Sequence, residues 1–139
     1  MPLLTRWFIR TSFVYLGIGL AMGILLAAQS LWGSMLPLAV FFPGYIHLMT
    51  VGWLTLLIFG VAYWMFPKYS QVQPRGNDAL NWAAFILLNL GLVMRLVGEP
   101  LDILRRNALW GWLLVFSALL QWLGGMAFIL NLWKRVRMK

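Results

Sequence analysis

Four apolar runs, each long enough or nearly long enough to cross a lipid bilayer, constrain this chain more than any other feature. They fall at about Ser12–Gln29, Gly44–Phe66, Ala79–Val97 and Asn107–Trp133. A helix rising 1.5 Å per residue needs roughly 20 residues to traverse roughly 30 Å of hydrocarbon. Charged residues make up 10% of the chain against 63% hydrophobic, and they cluster between the runs. A water-soluble domain of this size needs far more polar surface. The expectation is an all-α integral membrane protein, a single four-helix transmembrane bundle over residues 1–139 without a second domain. Arg6 and Arg10 precede the first run as in a signal peptide. That run exceeds a typical signal core, and "LLAAQS" is a poor cleavage site, so a retained helix is expected.

The basic residues set the expected orientation. Arg6 and Arg10, Lys68 and Arg75, and Lys134, Arg135, Arg137 and Lys139 place eight of the eleven on one side. Arg95, Arg105 and Arg106 fall on the other, beside Glu99 and Asp102. The positive-inside rule then puts both termini in the cytoplasm. Trp7, Trp64, Trp82 and Trp133 belong to the inner interface, Trp32 and Trp110 to the outer one. The uncharged first loop, "SLWGSMLPLAVFFP", is expected to lie in the outer interface, and Pro67, Pro74 and Gly76 break the chain between spans two and three. The net charge of +8 is explained by topology and anionic lipid, and nucleic acid is not an expected partner. With no cysteine in the chain, disulfides, Fe–S clusters, thiolate chemistry and c-type heme attachment are excluded.

Polar side chains inside hydrocarbon are costly unless paired. His47, the single histidine, lies three residues into span two, about 5 Å below the outer boundary. Arg95 lies sixteen residues into span three, which runs the other way, about 24 Å from the inner boundary. The two therefore reach similar depth on the outer side. No Asp or Glu falls in any of the four runs, which argues against a proton pump and against a transporter. Asn89 and Gln121 are expected to hydrogen-bond between helices or to backbone carbonyls. Tyr15, Tyr63, Thr50 and Thr55 read as packing or interfacial residues. Gly17, Gly19 and Gly23, the last two in a GxxxG, suit close helix contact, or a groove for a flat macrocycle. Gly124–Gly125 is equally ambiguous.

An imidazole in this setting can close a structural hydrogen bond, relay protons or bind metal. Zinc or copper needs several His, Cys or carboxylate ligands, which one chain does not supply. Carboxylate pairs, a Ser/His/Asp set and phosphate-binding glycine loops are absent, so hydrolysis and phosphoryl transfer have no support. Heme needs only one protein ligand per face, a wall of small and aromatic residues, and a cation for its propionates. His47, Gly19 and Gly23, and Arg95 with Arg105 and Arg106 meet that description. A structural histidine remains the alternative.

The segment "HLMTVGWLTLLIFGVAYWMFPKY" (His47–Tyr69) resembles the second helix of the catalytic subunit of heme-copper oxidases, in the branch of cbb-type oxidases and nitric oxide reductases. "LNLGLVMRLVGEP" (Leu88–Pro100) is similar to a segment of short stand-alone relatives of that subunit. The resemblance implies a heme b ligated by His47 at the outer end of span two. This chain has four spans and one histidine, so the binuclear center of that family does not carry over, nor does oxygen or nitric oxide reduction. Tyr45 stands where some short relatives have a further His. The second axial ligand is then expected from a C2 dimer in which two His47 side chains clamp one heme, from another subunit, or less readily from Met49. The function so implied is a b-type cytochrome of a bacterial or archaeal inner membrane, exchanging electrons with a quinol or a periplasmic carrier, alone or within a respiratory complex. The alternative is a cofactor-free structural or assembly subunit of a respiratory oxidase complex.

Overall fold

All four apolar runs are helical, and three of the helices outrun the apolar stretches that mark them. A computed structural model describes residues 1–32, 38–68, 75–133 and 135–136. Residues 33–37 of the first loop, the side chain of Trp32, and Tyr69, Pro74, Lys134, Arg137 and Lys139 lie outside the described residues. Span one is helix α1 (Leu3–Trp32). Span two opens with a 3₁₀ turn (Leu38–Phe41), continues as α2 (Phe42–His47), widens into a π-helical segment (Leu48–Thr55) and closes as α3 (Leu56–Met65). Spans three and four are α4 (Asp78–Leu104) and α5 (Ala108–Trp133). The described residues contain no strand. All four are long and apolar enough to cross a membrane, and the chain is an all-α, integral membrane four-span bundle.

The helix ends correct the sequence boundaries. The α1 helix begins nine residues before Ser12 and takes in Arg6 and Arg10, both exposed, whose long side chains can reach the headgroups from a helical backbone. Helix α4 starts at an Asn77 cap, whose side chain accepts from the Ala79 amide at 2.9 Å, with Asp78 favorably placed in the first turn. It then runs through Glu99 and Pro100 to Leu104. The apolar run ends at Val97, but proline is tolerated in membrane helices where neighbors re-satisfy the backbone. Glu99 is therefore inside span three and buried, against the expectation that no span holds a carboxylate.

Spans three and four form the tightest pair, through small residues repeating every seven. Ala84, Gly91 and Gly98 on α4 face Ser117, Gly124 and Asn131 on α5, all six buried. A Cβ at Gly91 would lie 2.9 Å from the Ser117 carbonyl oxygen and 2.8 Å from Gln121 Cγ. One at Gly124 would lie 3.1 Å from the Leu88 amide nitrogen and 3.2 Å from the Ala84 carbonyl oxygen. Without a hydrophobic drive between helices in lipid, such backbone approach is what holds them.

An aromatic layer ties all four spans together at the end that carries the termini. Phe59 stacks on Phe128 with ring centers 3.9 Å apart, and Phe8 meets Phe85 edge-on at 5.0 Å. Each of the four rings comes from a different span. Beyond that layer, Arg135 donates to the carbonyls of Tyr63, Phe66 and Pro67, at 3.1 Å for Tyr63 and 2.9 Å for Pro67, and so caps α3. Burial lowers the Arg135 pKa from that of a free guanidinium. Asn131 accepts from the Asn77 amide and donates to the Arg75 carbonyl, binding the loop to α5. Outward surfaces are apolar (Ile24, Val115 and Leu130 are all more than half exposed) while Thr5, Ser12, Asn81 and Ser117 are inside.

Gly91→Ala should lower stability by about 1–3 kcal/mol, because the added methyl meets backbone as well as side chain. Gly111→Ala, where a Cβ meets nothing within 4 Å, should leave it unchanged. Denaturant titration of purified protein in detergent, followed by tryptophan fluorescence, checks both.

Candidate functional site

His47 ends α2 four residues after Pro43, where the helix widens. Proline suits the first turn of α2, since its missing N–H has no intrahelical partner there. Past His47 the Leu56 amide reaches back to Val51, five residues earlier, and the Thr50 and Thr55 hydroxyls donate to the Ile46 and Thr50 carbonyls. Such π-helical insertions are rare and concentrate at functional sites. The geometry brings His47 and Arg95 together, in accord with their matching depth. Nε2 of His47 lies 3.2 Å from Nη1 of Arg95.

Nδ1 of the same ring lies 2.9 Å from the Pro43 carbonyl oxygen and 3.1 Å from Oε1 of Glu99. A guanidinium can only donate, so Nε2 accepts from Arg95 and Nδ1 donates to the Pro43 carbonyl, with Glu99 Oε1 close by. Arg95 also approaches Glu99 Oε1 at 3.3 Å, one helical turn along α4, and its Nε donates to Ser117 Oγ at 3.3 Å. Ser117 in turn donates to the Gly91 carbonyl at 2.7 Å and accepts from Gln121 at 3.3 Å. Pairing the Arg95 guanidinium with the Glu99 carboxyl offsets part of the cost of placing each in a medium of low dielectric. Glu99 Oε2 is buried and has no hydrogen-bond partner among the described residues.

A second polar contact lies deeper. Tyr15 donates to Asn89 Oδ1 at 2.8 Å, and Asn89 donates to the Phe85 carbonyl. Asn89 thus serves the interhelical and backbone bonding expected of it, whereas Gln121 donates to the Ser117 hydroxyl on its own helix. Gly19 and Gly23 take side chains of span two: a Cβ at Gly19 would lie 2.8 Å from Met49 Sδ, and one at Gly23 3.3 Å from the Tyr45 ring. Met49 faces α1 while His47 faces α4, so the two do not share an iron-facing side. Arg105 and Arg106 are exposed in the turn beyond α4, about 15 Å further along the axis than Arg95. An apolar cavity of about 370 Å³ sits elsewhere, between α1 and the 3₁₀ turn, with Ile18, Met22 and Phe41 in its wall.

These features bear on heme in two ways. The ring nitrogen that would meet iron, Nε2, accepts from Arg95, and Nδ1–H is held by the Pro43 carbonyl, a usual support of a ligating histidine. The donor chemistry fits. A macrocycle in the Gly19–Gly23 groove does not, because Met49 and Tyr45 occupy it. The fitting place is the partly open side of His47, whose side chain is 27% exposed, with Arg95 released from Nε2. No three His, Cys, Asp or Glu side chains converge as a metal site among the described residues.

Comparison with family models, curated proteins and solved structures finds no match.

Sequence reasoning missed Glu99 and Ser117. Glu99 follows Arg95 by four residues, the spacing of an intrahelical ion pair, and Ser117 falls in the seven-residue series on α5. Glu99→Leu alone should cost about 3 kcal/mol, because Arg95 keeps its charge at 20% exposure without a counter-ion. Adding Arg95→Met should recover most of that loss in the same unfolding titration.

Proposed function

We propose that the chain is a small membrane b-type cytochrome, with His47 supplying one axial ligand to a heme b at a dimer interface. The observation that carries this is the orientation of the ring: Nδ1–H is engaged by the Pro43 carbonyl, and Nε2 is an acceptor whose partner is Arg95. The resemblance of His47–Tyr69 to the heme-ligating helix of heme-copper oxidases supports the same assignment. A heme bound there supplies one-electron transfer. His47 presents Nε2 to the ligand position and holds its proton away from it. Arg95, once off Nε2, would provide a cation for a propionate, and Glu99 lies beside both Arg95 and His47. A second His47 from a symmetry-related chain would complete the ligand pair, since a two-fold interface presents the same residue twice. The natural setting is a bacterial or archaeal cytoplasmic membrane, with a quinol or a periplasmic carrier as redox partner. Arg105 and Arg106 offer further positive charge for that carrier or for the propionates.

Purified protein should show a Soret band and a reduced α-band with about half a heme per chain. His47→Ala should abolish both, and full loading of that variant overturns the assignment.

A second reading has its own support. Arg95 on Nε2, with Met49 and Tyr45 against Gly19 and Gly23, satisfies the bundle without any cofactor. This favors a structural or assembly subunit of a respiratory complex, for which colorless protein that co-purifies with larger subunits is the mark.

A further inference from the structure

We infer that the outward face of α1 holds an anionic phospholipid, its phosphate on Arg6 and Arg10 and one acyl chain along the residues that follow. Thr5, Phe8 and Ser12 turn into the bundle and are fully buried. Another flank of the helix carries a stripe at three- and four-residue spacing: Arg6, Arg10, Phe13, Gly17, Leu20 and Ile24, all exposed. Helix α1 is about 45 Å long against roughly 30 Å of hydrocarbon, so its first turns stand among the headgroups. Arg6 and Arg10 lie in those turns, and their long side chains reach phosphate depth. From Arg10 the stripe runs about 21 Å to Ile24, deeper than the roughly 15 Å of hydrocarbon in one leaflet. At Gly17 a Cβ meets nothing within 4 Å. The stripe is therefore notched between Phe13 and Leu20, where an acyl chain can lie against the backbone.

Charge decides what covers this face. Arg6 and Arg10 are one turn apart, and like charges at that spacing repel unless an anion lies between them. The chain has three acidic side chains, and each is committed or distant. Glu99 pairs with Arg95, Asp78 accepts from the Tyr63 hydroxyl at 2.8 Å, and Asp102 lies near the far end of α4. Among the described residues neither arginine meets a carboxylate. A second copy of the chain does not answer the need, because a two-fold contact on this face sets the same arginines against each other. The bilayer does. The phosphodiester of an anionic phospholipid lies at that depth with net negative charge, and guanidinium groups donate well to phosphate oxygens.

Full-length protein in phosphatidylcholine vesicles, with trace spin-labeled phosphatidylglycerol or phosphatidylcholine, tests this by electron paramagnetic resonance. The motionally restricted signal reports how much of each lipid is held against the protein. Wild type should hold phosphatidylglycerol in preference to phosphatidylcholine, and high salt should reduce the preference. Arg6→Gln and Arg10→Gln should each lower the affinity for phosphatidylglycerol about fivefold. Gly17→Leu, which fills the notch and keeps the charge, should also lower the held fraction of phosphatidylglycerol. Arg105→Gln combined with Arg106→Gln, at the other end of the bundle, should leave the preference in place. Equal retention of the two lipids by wild type overturns the site. So does an equal loss in the Arg105 and Arg106 variant, which assigns the preference to diffuse charge. A changed oligomeric state of Gly17→Leu on chemical cross-linking gives the face to a second copy and overturns it too.

Discussion

Hydrocarbon gives a polar group no hydrogen bonds, so hydroxyls in this bundle turn to carbonyls of their own helix and the longer polar side chains turn to another span. That constraint organizes the structure. Near the end that carries the termini, Arg135 and Asn131 answer the carbonyls and amides where spans two and three leave the membrane. In the middle, Tyr15 answers Asn89. Toward the opposite end, His47, Arg95, Glu99, Ser117 and Gln121 answer one another. Apolar packing fills the levels between, but apolar side chains gain little in lipid by leaving it. Close backbone approach at Gly91 and Gly124 therefore carries the contact of spans three and four, and the four-ring phenylalanine layer joins them to spans one and two.

The four-span, all-helical architecture was legible in the sequence because transfer of an unpaired backbone into lipid leaves helices as the default for long apolar runs. The ends were not. Arg6 and Arg10 look like flanking charges, yet the helix continues through them, since a snorkelling side chain does not require the backbone to leave the helix. At the other edge the apolar run stops at Val97, and tertiary contacts keep the next residues helical: Gly98 lies against Leu113 and Leu114 of α5, and Glu99 against Arg95 and His47. The π-helical segment after His47 has no sequence signature that periodicity could detect.

The pairing of His47 with Arg95 was legible from depth alone, because two antiparallel helices of fixed rise bring predictable residues to one level. Depth says nothing of azimuth, however. It gave no sign that Met49 and Tyr45 would fill the glycine face of α1. Glu99 was hidden by the misplaced helix end. Once that end moves out to Leu104, the i, i+4 relation to Arg95 becomes visible, and the lone histidine acquires a charged partner. The most informative sequence feature was the scarcity of polar residues: with so few in the spans, each is bound to matter.

Ligation of one heme b by two symmetry-related His47 imidazoles is tested most directly by electron paramagnetic resonance of the oxidized, full-length protein. The cytochrome assignment predicts a low-spin ferric signal with the g-values of two imidazole ligands, lost in His47→Ala. A high-spin signal from one-sided ligation, a low-spin signal that persists in His47→Ala, or no ferric heme signal at all contradicts it.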